Sequence, residues 1–198
     1  MDHISINAIR HFVEIHSIIV YFVIFFGVLL EGEIVVIFAG IFSYLGSLNI
    51  FVALLAVILG GITKSFLGYT FGAYLRKQHA DKLFLAKMER RITYFLPRFS
   101  ERPFWSIFVS RFFILGIGWF TLIYSGFKEI PVKTYIKAEG YSLAIWSVGV
   151  IALGHFFGYT ALSINHDVRN FLLVILICFI LFFILEKIVA FLIELFEM

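Results

Sequence analysis

Cysteine is almost absent from this sequence. Cys178 stands alone in 198 residues, so no internal disulfide can form. It lies in VILICFIL, where a lone thiol behaves as one more apolar side chain. Charge is nearly as scarce: Asp, Glu, Lys and Arg supply 15% of the chain, too little for the surface of a water-soluble domain of this length. The six histidines are scattered, and no Cys/His cluster has metal-ligand spacing, so neither a metal site nor a cofactor is implied. There is no phosphate-binding P-loop, no dinucleotide fingerprint and no nucleophile elbow. No small-residue cleavage site follows IIVYFVIFFGVLL, and Asp2 and Glu14 dilute any basic leader. The first apolar run is therefore read as structure rather than as a signal peptide.

What is abundant is apolar. Hydrophobic residues make up 62% of the chain, Phe alone contributes 26, and the mean hydropathy is +1.00. The expected fold class is all-α: a polytopic integral membrane protein, with residues 1–198 forming a single membrane domain. A spanning helix needs about 20 apolar residues. Four stretches reach that length, near 12–30, 50–76, 138–162 and 170–192. Two apolar pieces remain. Residues 33–46 are too few to cross alone, and 104–127 is interrupted by Gly116 and Gly118 and carries Arg111. Both read as re-entrant hairpins, which are tolerated at membrane depth where they are buried in protein or line a wet cavity. For 104–127 an ordinary spanning helix with two packing glycines is the alternative.

Basic residues set the orientation. Arg76, Lys77, Lys82, Lys87, Arg90, Arg91, Arg98 and Arg102 crowd one connection, and Lys128, Lys133 and Lys137 follow in the next, whereas 163–170 holds only Arg169. The positive-inside rule puts the first two in the cytoplasm and the last outside, with both termini cytoplasmic. The expected location is the bacterial or archaeal inner cell membrane. Residues 80–102 carry Leu83, Phe84, Met88, Ile92 and Phe95 at roughly helical spacing. They read as an amphipathic segment held on the inner leaflet by anionic lipid, and no nucleic-acid role is expected.

Charges inside the apolar runs are the candidate functional residues. Glu31 and Glu33 flank Gly32 in LLEGEIVV, Lys64 sits in GGITKSFLG, and Arg111 sits in SIFVSRFFILGIG. An ionised group in hydrocarbon costs several kcal/mol unless offset. Two readings follow: Lys64 and Arg111 statically neutralise the two glutamates, or the four line a polar cavity where Arg111 holds an anionic head group. Gly68 with Gly72 and Gly154 with Gly158 stand four apart, as on small-residue faces that let helices approach closely. Gly32, Gly116 and Gly118 read instead as helix breaks at hairpin tips. Tyr69, Tyr74, Tyr141, Trp105 and Trp146 read as interface-belt residues. His155 reads as a hydrogen-bonding residue across the bundle, with proton relay as the sharper option.

Several of these motifs together resemble the DedA family of membrane proteins, also described by the VTT or SNARE-associated domain. In GEIVVIFAG, Glu33 precedes Ala39-Gly40 as the glutamate of the family's first hairpin does. The glycine-rich helix with Tyr69 and Gly72, the Arg111-Phe112 pair and the Ser125-Gly126 pair follow in the family's order. The resemblance covers roughly residues 18–160. The chain departs from the pattern in lacking both hairpin prolines, in having Lys64-Ser65 where the family has Gly-Asp, and in lacking a second arginine near Gly118. The resemblance implies transbilayer movement of an anionic lipid or a polyprenyl-phosphate carrier, by a flippase or scramblase, with proton coupling through acidic residues proposed for the family. Its implied partners are membrane lipids carrying phosphate, and it leaves a homo-oligomer open.

The functional expectation is therefore a lipid transporter rather than an enzyme, with Arg111, Glu33, Glu31 and Lys64 at the substrate. The alternative is a non-transporting membrane protein whose basic loop recruits anionic lipid or a partner. An internal inverted repeat is also expected. A shift of 86 residues superimposes Gly32 on Gly118, Gly40 on Gly126, Gly68 on Gly154 and Gly72 on Gly158 without a gap.

Overall fold

The structure, a computed structural model, describes residues 11–30, 32–77, 89–90, 92, 96, 99–112 and 117–163. Glu31, Gly116, Cys178, the expected helix at 170–192 and most of the basic segment at 80–102 lie outside the described residues. The described residues are all-helical. In chain order the helices are α1 (Ser17–Leu30), α2 (Glu33–Tyr44), α3 (Ile50–Lys77), α4 (Pro103–Ser110), α5 (Ile117–Phe127) and α6 (Val132–Ser163).

Two helices are long and apolar enough to cross a membrane: α3, and Val132–Tyr159 of α6, each with 28 residues. At 1.5 Å per residue that is about 42 Å, against a hydrocarbon core of about 30 Å. The expected third span began at 138, but α6 begins six residues earlier. Both helices are turned inside out relative to a soluble protein. On α3 the small residues Ala53, Gly60, Gly61, Ser65, Gly68 and Gly72 are buried, while Phe51 and Phe66 are 77% and 68% exposed. On α6, Glu139, Ser142 and Ser147 are buried while Ile136, Ile145 and Phe156 face outward. Large apolar side chains gain by facing lipid, and small ones let backbones approach.

Local chemistry explains where these helices start and stop. The Asn49 side chain caps α3, accepting from the N–H of Phe51 at 2.9 Å and of Val52 at 3.3 Å. Gly32 ends α1 and begins α2. Its N–H reaches back five residues to Gly27 O, and its own carbonyl accepts from Val36. Its φ of 66° is one that a side chain would strain. At the far end of α2, Gly46 (φ 75°) completes a paired motif in which Gly46 N–H meets Ser43 O and Ser47 N–H meets Phe42 O. The same motif closes α5, but there Glu129 takes the left-handed position, with φ 53°, and its carboxylate meets Arg76 at 3.0 Å. Pro103 opens α4 at a position where its missing N–H costs nothing.

The stretch 104–127 is not one straight helix. It is α4 and α5, which pack on one another, with Arg111 and Phe112 in the turn that ends α4. Gly118 lies inside the first turn of α5 rather than at a break.

The chain divides into two compact units, Met1–Gly60 with Ser147–Met198, and Gly61–Trp146. Each is held by a glycine contact between backbones. In the first, Gly40 of α2 lies against Ile151 O and His155 N of α6, and Gly154 lies against Ile37 O. In the second, Gly126 of α5 lies against Tyr69 O and Ala73 N of α3, and Gly72 lies against Ile123 O. A methyl group at any of these four glycines would overlap backbone. Ile37 and Ile123, 86 positions apart, occupy equivalent places in the two contacts. The long helix in the second is displaced by one turn, with Gly72 rather than Gly68 beneath the isoleucine carbonyl.

Candidate functional site

The second unit contains a buried ion pair that links three helices. Arg111, in the turn after α4, donates from Nη1 to Glu139 Oε2 of α6 at 2.5 Å. The two side chains are 11% and 7% exposed. Ser65 of α3 donates to the same carboxylate oxygen at 2.6 Å, and its hydroxyl also lies 2.9 Å from Gly61 O. One hydroxyl proton serves one acceptor at a time, so Ser65 can turn between the carboxylate and its own helix. Tyr135 OH donates to Ser65 O at 2.7 Å, and its ring rests on Tyr69 with centroids 4.7 Å apart. Tyr69 OH in turn donates to Ile130 O at 2.9 Å, so Tyr69 is tied into this network as well as standing near a helix end.

Glycine makes the room for Arg111. A Cβ on Gly61 would come within 2.9 Å of Arg111 Nη2 and collide with Leu143, so the guanidinium lies directly on the α3 backbone. Trp146 closes the other side, its ring centroid 5.6 Å from Arg111 Cζ. The expected belt position for Trp146 is corrected: it is 4% exposed, and buried within the unit. Tyr74, Trp105 and Tyr141 are exposed, as belt residues would be.

The carboxylate on Arg111 is thus one the sequence reading missed. It looked to Glu31 and Glu33 because they interrupt a long apolar run, while Glu139 sits near the expected start of a span. Helical periodicity could have found it. Tyr135, Ala138, Ser142, Leu143 and Trp146 share the buried face of α6 with Glu139. Lys64 lies in the same unit, its Nζ 5.2 Å from the Trp119 ring centroid. Glu33 lies in the other unit, half-buried in the first turn of α2, where the helix dipole favours negative charge. His155 stands edge-on to Tyr44, centroids 5.1 Å apart, and its buried Nδ1 has no hydrogen-bond partner.

Beyond the apolar helices, Glu89 accepts from Lys128 at 3.0 Å and from Tyr124 OH at 2.9 Å. The Lys128 ammonium, with the Tyr124 hydroxyl, holds the Glu89 carboxyl below its ordinary range. Glu89 in turn holds Lys128 above its own.

An Arg–Glu pair at this burial keeps a cation at helix-packing depth without a net charge. A guanidinium has five N–H donors, so it can hold its carboxylate and still offer donors to an anion. The chain matches no protein-family model, no curated protein and no solved structure.

Proposed function

We propose that this chain is an integral membrane protein that moves an anionic lipid or a polyprenyl-phosphate carrier across the bilayer. Arg111 holds the phosphate, Glu139 keeps the arginine charged and oriented between transport events, and Lys64 and Glu33 balance charge along the path. In this reading 33–46, which holds α2, and 104–127, which holds α4 and α5, are re-entrant hairpins, and 12–30, α3 and α6 are three of four spans. The two hairpin-plus-helix units form an inverted repeat, and both termini face the cytoplasm. The repeat draws support from the isoleucine–glycine backbone contact that α2 makes with α6 and α5 makes with α3. Proton coupling would pass through the glutamates.

The observation that carries the reading is Arg111 itself, an arginine nine-tenths buried among apolar helices with donors to spare. Such residues in membrane segments mark ligand and ion paths. The test is reconstitution of the full chain in liposomes with a fluorescent phosphatidate and a short-chain polyprenyl phosphate, following loss of label to an external quencher. Wild type is expected to translocate. Arg111→Ala should abolish transport and Arg111→Lys should keep a little, since Lys retains charge but loses the fork. Product analysis separates transport from hydrolysis of the lipid phosphate.

One observation favours a second reading. Arg111 already has a carboxylate at 2.5 Å, as a purely structural pair would. A non-transporting protein that recruits anionic lipid or a partner through its basic loop would show lipid binding with no flux.

A further inference from the structure

Among the described residues of the second unit, two groups that can only donate are buried without a partner. They are Nε of Arg111 and Nε1 of Trp146. Buried polar groups are nearly always hydrogen-bonded, so each such exception calls for an explanation. These two are neighbours: Arg111 Cζ lies 5.6 Å from the Trp146 ring centroid. The guanidinium lies over the indole ring, so both donors border one buried contact. Glu139 and Ser65 account for a different edge, with Glu139 on Nη1. Nε is left without an acceptor.

From this we infer that Trp146 is the second donor of the head-group site, and that one phosphate accepts from its indole N–H and from the Nε–H of Arg111. Both groups donate and neither accepts, so they fit an acceptor that brings no hydrogens of its own. A water there would need acceptors for its two protons, and the carboxylate beside it, Glu139, already accepts from Arg111 and Ser65. An anionic oxygen has no such need, and its hydrogen bond to a guanidinium is shorter and roughly twice as strong as one between neutral groups. Arg111 then bridges two anions, Glu139 on one edge and the phosphate on the other. The inference rests on Arg111 as the phosphate-holding residue and adds a residue that shares the phosphate with it.

The test is the indole N–H spectrum of full-length protein with ¹⁵N-tryptophan, in a maltoside detergent that carries no phosphate. The chain has three tryptophans, so Trp146→Phe assigns the resonance, and Trp105 and Trp119 serve as internal references. Inorganic phosphate, dihexanoyl phosphatidate and dihexanoylglycerol are titrated in turn. A downfield shift of the Trp146 resonance with phosphatidate alone supports the site with a lipid head group as ligand. A shift with inorganic phosphate as well supports it with the free anion as ligand. In either case Trp146→Phe should bind the anion roughly tenfold more weakly, the loss of one hydrogen bond to a charged group. If that variant does not fold, Trp105→Phe and Trp119→Phe assign the Trp146 resonance by elimination, and its wild-type shift decides. A resonance that no probe moves, or one that dihexanoylglycerol moves equally, overturns the inference. Transport that persists unchanged in a folded Trp146→Phe would sink the role of Trp146 and leave that of Arg111 standing. A wild-type chain that shifts with phosphate yet moves no lipid would keep the site and discard the transport reading.

Discussion

At the scale of the residue, the Arg111–Glu139 pair is the feature with the largest stability consequence. Both side chains are buried, and removing one partner of a buried pair leaves an uncompensated charge, at a cost of about 3–5 kcal/mol. Glu139→Ala should therefore lower Tm in detergent by roughly 10 °C, at the 2–4 °C per kcal/mol of a chain this long. Glu139→Gln, which still accepts from Ser65, should lose less. Adding Arg111→Met to Glu139→Ala should recover most of the loss, because the double variant buries no charge. An unchanged melting profile for Glu139→Ala would show that the pair is solvated. The Glu89–Lys128 contact makes a separate prediction. Glu89 is held below its ordinary 4.5, so its contribution is present above that pH and disappears as acid titrates the carboxylate. Lys128 is held above its ordinary 10.5, so its contribution is complete below that pH and disappears in stronger base. Between about pH 5 and 10 the contact should be constant. A carboxyl-carbon NMR titration should place Glu89 below 4.5, and Lys128→Met should move it back upward. A midpoint that Lys128→Met leaves unmoved would break the assignment.

At the scale of the element, two groups of glycines contrast. Gly40, Gly72, Gly126 and Gly154 lie against backbone of another helix, whereas Gly140 and Gly149 have nothing within 4 Å of a built Cβ. Gly126→Ala must push α5 off α3, an overpacking cost of about 1–3 kcal/mol. Gly140→Ala and Gly149→Ala should instead stabilise by about 0.5–1 kcal/mol, through the entropy that glycine loses in a helix interior. Thermal unfolding of the purified variants in one detergent compares them directly. Equal effects at Gly126 and Gly140 would mean that the α3–α5 contact is not made in solution. Spacing alone picked out Gly68, Gly72, Gly154 and Gly158 as packing positions. It could not pair them with Gly40 or Gly126, because the partner glycine lies on a helix distant in sequence. Nor did it separate Gly32, held at φ 66°, from Gly118, which is helical. Both look alike in an apolar run, and only the chain path shows which one must adopt a left-handed backbone.

At the scale of the whole molecule, the prediction is topological. With Cys178 replaced by serine, a cysteine at Arg90 should react with an impermeant thiol reagent only from the cytoplasmic side, and one at His166 only from outside. The reverse pattern would invert the proposed orientation. The basis is the crowding of Lys and Arg into one connection, a property of composition that local structure does not alter.

Composition and periodicity by themselves determined that the chain is helical and apolar enough for membrane-length helices, and that 33–46 and 104–127 differ from the long runs. Those are properties of contiguous segments, set by how many apolar side chains follow one another and where glycine or charge interrupts them. Arg111 was legible for the same reason: a guanidinium inside an apolar run needs a partner wherever it lies. Only the tertiary structure decided that the partner on its Nη1 is Glu139, that Ser65 shares that carboxylate, that Gly61 makes room for the guanidinium and that Trp146 is buried beside it. Each of those depends on which face of α3 and α6 turns inward and on how far α4 runs before it turns. A glutamate near a helix end reads as solvated until the helix beside it brings an arginine within 2.5 Å.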